Sequence, residues 1–286
     1  MQARPLLASS TAIAPPNREK IYRHPLVIRV AHWLNAASLL VLLMSGLQIF
    51  NAHPALYWGA ASTFDAPALA IGSDTDAKGE ARGFVAIGSH TFDTTGVLGV
   101  STERGTASER AFPAWSTIPS GQDLATARRW HFLFAWAFVV NGAIYLAYGL
   151  GSGQLRRRVI PDGDQMRDLG GSVREHLTLR FPKGEEARRY NALQKLTYLA
   201  VIAGLLPVMV LAGLAMSPAM DAAWPWLVAM FGGRQSARTI HFIVANLLVL
   251  FVIVHVVLVL VSGFWNNMRG MVTGWFSIET EGATRR

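Results

Sequence analysis

The chain has 286 residues, of which 51% are hydrophobic and only 15% are charged, which is typical of a membrane protein rather than of a soluble domain. It contains no cysteine, which excludes covalently attached c-type haem, cysteine-ligated iron–sulfur clusters, disulfides and thiolate zinc sites within it. The net charge is +8, but the basic residues flank apolar segments, so the pattern favours a membrane, and no nucleic acid, as the partner.

The first part of the chain is a basic leader followed by an apolar segment. Residues 1–29 hold five Lys or Arg and no apolar core with a small-residue cleavage site, so we predict a cytoplasmic extension and no cleaved signal peptide. Residues 31–50 lack charge and are long enough to cross a bilayer as a helix. His32 stands at the start of this span, and Gly46 shares its helix face, where a glycine admits either a flat cofactor or a neighbouring helix.

A long polar segment, residues 51–129, separates the first span from the second. It is rich in Gly, Ser, Thr and Asp, and its short apolar runs at 84–87 and 97–100 predict short strands or turns. Loops of this length are usually functional or disordered. We expect an outer loop that docks a partner subunit, with a flexible connector as the alternative.

The second and third spans differ in their histidine content. The second, residues 130–150, begins with His131 and carries the polar Asn141, which we expect to hydrogen-bond within the bundle. A strongly basic segment, residues 151–190, follows. The third span, residues 196–217, has no histidine, so we predict that it packs beside a site without ligating a metal and is kinked at Pro207.

The fourth span, residues 239–265, carries two histidines, His241 and His255, and precedes a short tail, residues 266–286. Their 14-residue spacing is close to four helical turns, which places both imidazoles on one face about 21 Å apart along the axis. An ionisable side chain within a membrane span indicates a functional site. One histidine near each side of the bilayer predicts two stacked cofactors, which we interpret as two b-type haems.

The distribution of Lys and Arg predicts the orientation of the spans and hence the pairing of the histidines. Most Lys and Arg lie in the leader, in loop 151–190 and in the tail, which places both termini in the cytoplasm. The depth of each histidine in the bilayer, which we call its level, then pairs His131 with His241 on the outer side and His32 with His255 on the inner side. We therefore predict an all-α membrane protein, a four-transmembrane-helix bundle (domain 30–265) that encloses two haems with bis-histidine ligation.

Each histidine also has an ordinary interpretation, because a lone membrane histidine is more often hydrogen-bonded to a neighbouring helix than bound to a metal. The joint pattern of level, helix and spacing favours ligation. Haem propionates are anionic and need cations nearby, and the arginines next to these histidines are placed to neutralise them. Interfacial arginines more commonly contact lipid headgroups. The predicted cation set is Arg29, Arg129 and Arg238; His24, His53, His90 and His176 are taken as loop or interface residues, and Met44, Met209 and Met216 as packing residues.

Four stretches of the chain resemble the bacterial cytochrome b561-like membrane subunits, a family that includes the cytochrome b subunits of formate dehydrogenase, nickel–iron hydrogenase and thiosulfate reductase-type enzymes. They are R-V-A-H-W at 29–33, R-W-H at 129–131, Y-N-A-L-Q-K-L-T-Y at 190–198 and H-x13-H at 241–255. The resemblance covers about residues 22–275. It implies four helices, two non-covalent b haems, and a multi-pass protein of the bacterial inner membrane. The loop 51–129 is longer than the connection usual in the family.

The resemblance implies an electron-transfer subunit between the quinone pool and a periplasmic redox partner, which the long loop suggests is a molybdopterin enzyme. Quinone is then the substrate, with its site near the inner haem, and the chain has no substrate-converting constellation of its own. Two alternatives stay open: a single-chain haem oxidoreductase acting on a small oxidant, and a proton-coupled transporter that uses its histidines. The polar residues considered for the quinone site are Asn35, Asn191, Gln194 and Lys195.

Overall fold

The computed structural model describes residues 17–167, 169–178 and 191–280. Four helices in it are long and apolar enough to span a membrane: Leu26–Asn51, Leu124–Gly151, Ala192–Ala215 and Arg234–Val261. At 1.5 Å per residue even the shortest is about 36 Å long, which exceeds a hydrocarbon core of about 30 Å. Their apolar side chains are largely exposed on the outside of the bundle, as contact with lipid requires. The prediction of a mostly helical chain with four such helices is confirmed.

The four helices are joined by short helices and by a loop that contains strands. In chain order the elements are β1 (Asn17–Tyr22), α1 (Leu26–Asn51), β2 (Ala55–Leu56), β3 (Leu69–Thr75), β4 (Ala81–Ile87), β5 (His90–Asp93), β6 (Gly99–Glu103), β7 (Thr106–Arg110), α2 (Leu124–Gly151), α3 (Gln154–Val159), α4 (Gly163–Arg167), α5 (Leu169–Leu177), α6 (Ala192–Leu199), α7 (Leu206–Ala215), α8 (Pro218–Ala223), α9 (Pro225–Met230), α10 (Arg234–Val261), α11 (Phe264–Thr273) and β8 (Trp275–Thr280).

The spanning helices extend beyond the apolar segments that predicted them. The second span was expected to start at residue 130, but α2 begins at Leu124, because the Asp123 side chain accepts a hydrogen bond from the backbone N–H of Thr126 and caps the helix. In contrast, α10 ends at Val261, short of the expected end at residue 265. Gly263 follows it with φ 110°, a conformation that glycine adopts readily, and the chain turns there into α11.

The third span is interrupted where its proline lies. Between α6 and α7, residues Ala200–Leu205 form a π-helix, and Pro207 is the second residue of α7. Proline has no N–H to donate to the preceding turn, and single π turns commonly accompany such irregularities. The disruption expected at Pro207 therefore takes the form of a local change of helix type.

The loop between α1 and α2 folds as a small β domain. Strands β2, β3, β4 and β5 form an antiparallel sheet in that order, and β6 and β7 form a separate hairpin. Leu56 and Ile71 of this domain pack with Phe50 at the end of α1, and Phe242 of α10 packs against the same core. We call residues 52–123 the loop domain. Because it has a core shared with two spanning helices, the interpretation as a flexible connector is wrong.

The two ends of the chain pair with each other. Strand β1 lies antiparallel to β8, from Asn17 opposite Thr280 to Tyr22 opposite Trp275. The indole N–H of Trp33 donates to the carbonyl of Met271 at 3.1 Å, which attaches α1 to α11. The irregular leader and short tail expected from sequence thus form, over their described parts, a terminal sheet. We call this end of the bundle the termini side and the opposite end the loop side.

Candidate functional site

The four histidines of the spanning helices meet as two pairs. His131 of α2 and His241 of α10 have ring centroids 6.3 Å apart on the loop side, with planes inclined at 61°. His32 of α1 and His255 of α10 have centroids 6.3 Å apart on the termini side, with planes inclined at 63°. The structure thus brings together the same partners that the levels of the residues predict.

This separation fits two imidazoles that share one metal ion. A bond between a metal and an imidazole nitrogen is about 2 Å long, and a ring nitrogen lies about 1 Å from its ring centre, so the ring centres of two opposite ligands are about 6 Å apart. Within the described ranges, no group of three or more His, Cys, Asp or Glu side chains is placed to hold a metal. Zinc sites use three or four protein ligands, whereas haem iron takes four ligands from the porphyrin. The donor set therefore fits haem.

The hydrogen bonds of the loop-side pair leave the same ring nitrogen available on both histidines. Nδ1 of His241 lies 3.0 Å from the carbonyl oxygen of Met209, which can only accept, so Nδ1 carries the proton. Nδ1 of His131 lies 3.1 Å from Oγ of Ser45, whose own hydroxyl donates to the carbonyl of Val41 at 2.6 Å. With its own proton on Val41, Ser45 Oγ is free to accept from Nδ1 of His131, and the Leu42 carbonyl also hydrogen-bonds this imidazole. In both rings Nε2 is left unprotonated, the form that binds a metal.

Two glycines let neighbouring helices approach these rings. A Cβ added at Gly46 of α1 would lie 3.5 Å from Cε1 of His131, and one at Gly213 of α7 would lie 3.3 Å from Cε1 of His241. At Gly213 the added Cβ would require the imidazole to shift by a few tenths of an ångström, whereas at Gly46 it would make an ordinary van der Waals contact. Gly46 thus serves the loop-side pair, and the third span contributes Gly213 and the Met209 carbonyl although it has no histidine.

The three predicted arginines have different surroundings. Arg29 lies one turn before His32; one of its terminal nitrogens donates to the Val272 carbonyl, while its Nε is buried and has no partner among the described residues. Arg238, one turn before His241, donates to the carbonyls of His53 at 2.5 Å and Ala55 at 2.9 Å and so anchors the loop domain. Arg129 is exposed and lies two residues from His131, on a different helix face.

A cavity of about 350 Å³ lies about one helical turn outside the loop-side pair. Its lining includes Met216, three residues after Gly213, and Arg238, three residues before His241. It also includes Arg234, which sequence reasoning left out of the site. Arg234 precedes His241 by seven residues, two helical turns, and this shared face was the signal that could have identified it. The two guanidinium groups make the cavity suitable for anionic carboxylates such as haem propionates.

Most of the polar residues considered for a quinone site have structural partners. Asn191 and Gln194 form a capping box at the start of α6, with the Asn191 side chain accepting from the Gln194 N–H at 2.9 Å. Asn35 accepts a hydrogen bond of 2.6 Å from Asn141, which also donates to the Ala31 carbonyl. The expected bundle contact of Asn141 is confirmed. Asn35, Asn191 and Gln194 thus stabilise helices through these hydrogen bonds.

Two further histidines are more buried than expected of loop residues. Burial, with the charges of Arg23 and Arg158, lowers the pKa of His24 to about 4. His53 stacks on Tyr57, and burial followed by the charge of Arg238 lowers the pKa of His53. His90 is exposed. The side chain of His176 lies outside the described part of the chain.

Comparison with known proteins gives one family and one informative relative. A family model described as prokaryotic cytochrome b561 matches residues 23–274, which include all four paired histidines. The chain is 28% identical to a putative protein-methionine-sulfoxide reductase subunit, YedZ1, of Azospira oryzae over 238 residues, which cover 82% of this chain and 89% of the relative. No solved structure gives a significant match.

Proposed function

The chain belongs to the prokaryotic cytochrome b561 family, and from this premise we propose that it binds two b-type haems, one between His131 and His241 and one between His32 and His255. Membership makes the chain a multi-pass bacterial membrane protein that binds b-type haem and transfers electrons. A colourless proton-coupled transporter is set aside on the same ground.

The observation that carries the proposal is the 6.3 Å centroid separation in both pairs. When bound, a b-type haem supplies one-electron redox chemistry. The chain's own residues would hold and orient the group: the histidines would supply ring nitrogens to the iron, and Ser45 and the Met209 carbonyl would orient the rings of the loop-side pair. Arg29 and the cation pair Arg234 and Arg238 are proposed to neutralise propionates.

The position of the pairs supports electron transfer across the membrane. His241 and His255 share α10 and lie about 21 Å apart along its axis, so each pair is near one side of the bilayer. Moving one charge across the full membrane potential changes the free energy by about 2.3 kcal/mol per 100 mV, which allows this route to couple to energy conservation. We propose that quinone reacts on the termini side. The excess of Lys and Arg on this side assigns it to the cytoplasm, and we place the protein in the bacterial inner membrane.

The partner is proposed to be an oxidoreductase subunit in the periplasm that docks on the loop domain. The curated relative is named as a subunit of a putative protein-methionine-sulfoxide reductase, which supports a subunit role here. The loop domain is folded, and it presents large aromatic side chains to solvent, among them Phe64 (73% exposed) and Trp115 (81% exposed). Exposed aromatic residues of this kind are enriched at protein interfaces. A molybdopterin enzyme is the partner class that the sequence resemblance implies.

The test is the reduced-minus-oxidised visible spectrum of the purified protein, with haem quantified per chain. We expect two b-type haems in the wild type, and one each in His255→Ala and His131→Ala, because each variant removes one histidine of one pair. His90→Ala, which alters an exposed histidine of the loop domain, is the matched control and should retain both. A wild type with one haem per chain would overturn the two-haem proposal.

A further inference from the structure

A second cavity, of about 470 Å³, lies on the termini side, and its lining includes none of the four paired histidines. It is formed where α2 leads into α3 and where α6 begins. The residues that line it are Gly153, Arg156, Arg157, Ile160, Asp162 and Lys195. Its volume is in the range of small-ligand sites, which is about 300–1,000 Å³.

The lining carries more positive than negative charge, and its lysine is unusual. Lys195 is only 6% exposed, and its ammonium donates to the Ile160 carbonyl at 3.2 Å. An ammonium has three donors, so one carbonyl does not satisfy it. The ion pairs found in the described part of the chain, Arg82–Asp76 and Arg167–Asp164, do not involve it.

The one acidic side chain of the lining accepts from the backbone at the start of a helix, and in the described part of the chain it forms no ion pair with Lys195. The Asp162 carboxylate accepts a hydrogen bond of 2.9 Å from the Gln165 N–H at the start of α4. The lining thus holds three cationic groups, two of them guanidinium groups on α3, and one carboxylate; the Arg157 guanidinium also donates to the Ser152 carbonyl at 2.6 Å. A buried charge without a counterion is costly, and an anion bound in the cavity would remove that cost.

The surroundings of the cavity place it at the level of lipid headgroups. It adjoins the end of a spanning helix, where Leu150 is 69% exposed, and its own wall includes Ile160, which is 49% exposed. Apolar surface thus lies directly beside a cationic recess. Basic pockets between spanning helices on the positively charged side of membrane proteins suit the phosphate groups of anionic lipids.

We propose that this cavity binds a phosphate group, presented by the headgroup of an anionic phospholipid such as phosphatidylglycerol. Arginine matches the geometry of phosphate oxygens with paired N–H donors, and lysine acts as a point charge. Lys195, which was considered for the quinone site, is assigned to phosphate instead. The inference does not depend on the number of haems or on their ligands.

The test measures retention of phosphatidylglycerol by native mass spectrometry of the purified, haem-containing protein. Lys195→Gln and the double variant Arg156→Gln/Arg157→Gln should each retain phosphatidylglycerol about tenfold more weakly, which corresponds to about 1.4 kcal/mol. Arg174→Gln, which removes an exposed charge from α5 on the same side, is the matched control and should bind as the wild type does. The double variant alters only exposed side chains, and an unchanged haem spectrum verifies that each variant is folded.

Competition separates the two sources of phosphate. If millimolar inorganic phosphate leaves the lipid bound, the ligand is the lipid headgroup; if it displaces the lipid and is itself retained, the site takes soluble phosphate, and the phosphate assignment holds in both cases. Equal retention of phosphatidylglycerol by the wild type and all three variants would overturn the proposal.

Discussion

At the scale of single residues, the loop-side pair depends on a serine that donates and accepts at once. Ser45 gives its hydroxyl proton to the Val41 carbonyl, so its oxygen is left to accept from Nδ1 of His131. When His131 donates this bond, Nδ1 carries the proton and Nε2 is the nitrogen available to a metal. No property of the sequence near Ser45 identifies it, since buried serines are common at helix contacts in membranes.

Ser45→Ala should weaken haem binding at the loop-side pair while the termini-side pair is unaffected. The substitution removes the hydroxyl that lies 3.1 Å from Nδ1 of His131 and leaves the ring to its backbone hydrogen bond at Leu42, and loss of such an outer partner typically lowers metal affinity about 10–100-fold. The measurement is haem loss from each site on dilution into apomyoglobin, followed by visible spectroscopy.

Ser38→Ala is the matched control for Ser45→Ala, because Ser38 is a buried serine of the same helix that is two turns away. It should lose haem at the wild-type rate. Identical kinetics for Ser38→Ala and Ser45→Ala would contradict a role for Ser45 in orienting His131.

At the scale of elements, helix α10 is the shared component of both pairs, whereas α1 and α2 each supply one histidine. The third span supplies none, yet it places Gly213 and the Met209 carbonyl against His241. The sequence shows that the third span has no histidine. It does not show that the span contacts His241, because any residue type can supply a backbone carbonyl.

The terminal sheet is the other element that matters near the site, because it holds α1 against α11. His24 lies at its edge: the N–H groups of Arg23 and His24 donate to the Gly274 carbonyl, and the His24 side chain is buried. Burial and the charges of Arg23 and Arg158 lower the pKa of His24 to about 4, so the ring is neutral at pH 7. The charge of Arg29 acts in the same direction.

Acidification should therefore loosen the terminal sheet. The pKa of His24 in the folded protein is below its unfolded value of about 6.5, so the unfolded state binds more protons between these values. The contribution of neutral, buried His24 to the free energy of unfolding is fully present above about pH 6.5 and is lost as the pH falls toward about 4. Hydrogen exchange of the backbone N–H groups of β1 and β8, compared at pH 7.5 and pH 5, measures this loss.

His24→Asn removes the titrating group and should flatten the pH dependence of exchange in β1 and β8. His90→Asn, at an exposed position of the loop domain, should leave it as in the wild type. If the pH dependence is the same in all three proteins, His24 is not the group responsible.

At the scale of the whole molecule, the absence of cysteine makes the orientation in the membrane directly testable. Lys78→Cys places a single thiol on the exposed surface of the loop domain, and Arg174→Cys places one on the exposed surface of α5 on the termini side. With both termini in the cytoplasm, a membrane-impermeant maleimide should label Lys78→Cys in intact spheroplasts and Arg174→Cys only after permeabilisation.

The wild type, which has no thiol, is the control for background labelling of the two cysteine variants. Labelling of Arg174→Cys in intact spheroplasts, with protection of Lys78→Cys, would reverse the orientation and move the proposed partner to the cytoplasm.

The family, the four spanning helices and the haem chemistry were readable from sequence because they rest on local properties. A run of apolar residues shows a span by its length, and the 3.6-residue period places His241 and His255 on one face. The resemblance to the cytochrome b561-like subunits is confirmed by the family match over residues 23–274. The assignment of the four histidines as ligands stays a prediction, supported by the geometry of the pairs.

Only the tertiary structure decided how distant parts of the chain meet. Pairing of β1 with β8 joins residues about 250 positions apart, and folding of the loop domain onto Phe50 and Phe242 joins three separate segments. Ser45, Gly213 and Arg234 likewise acquire their roles from neighbours that are remote in sequence. Hydropathy and helical period report what a segment does by itself; contacts between segments depend on packing in three dimensions, which no local pattern records.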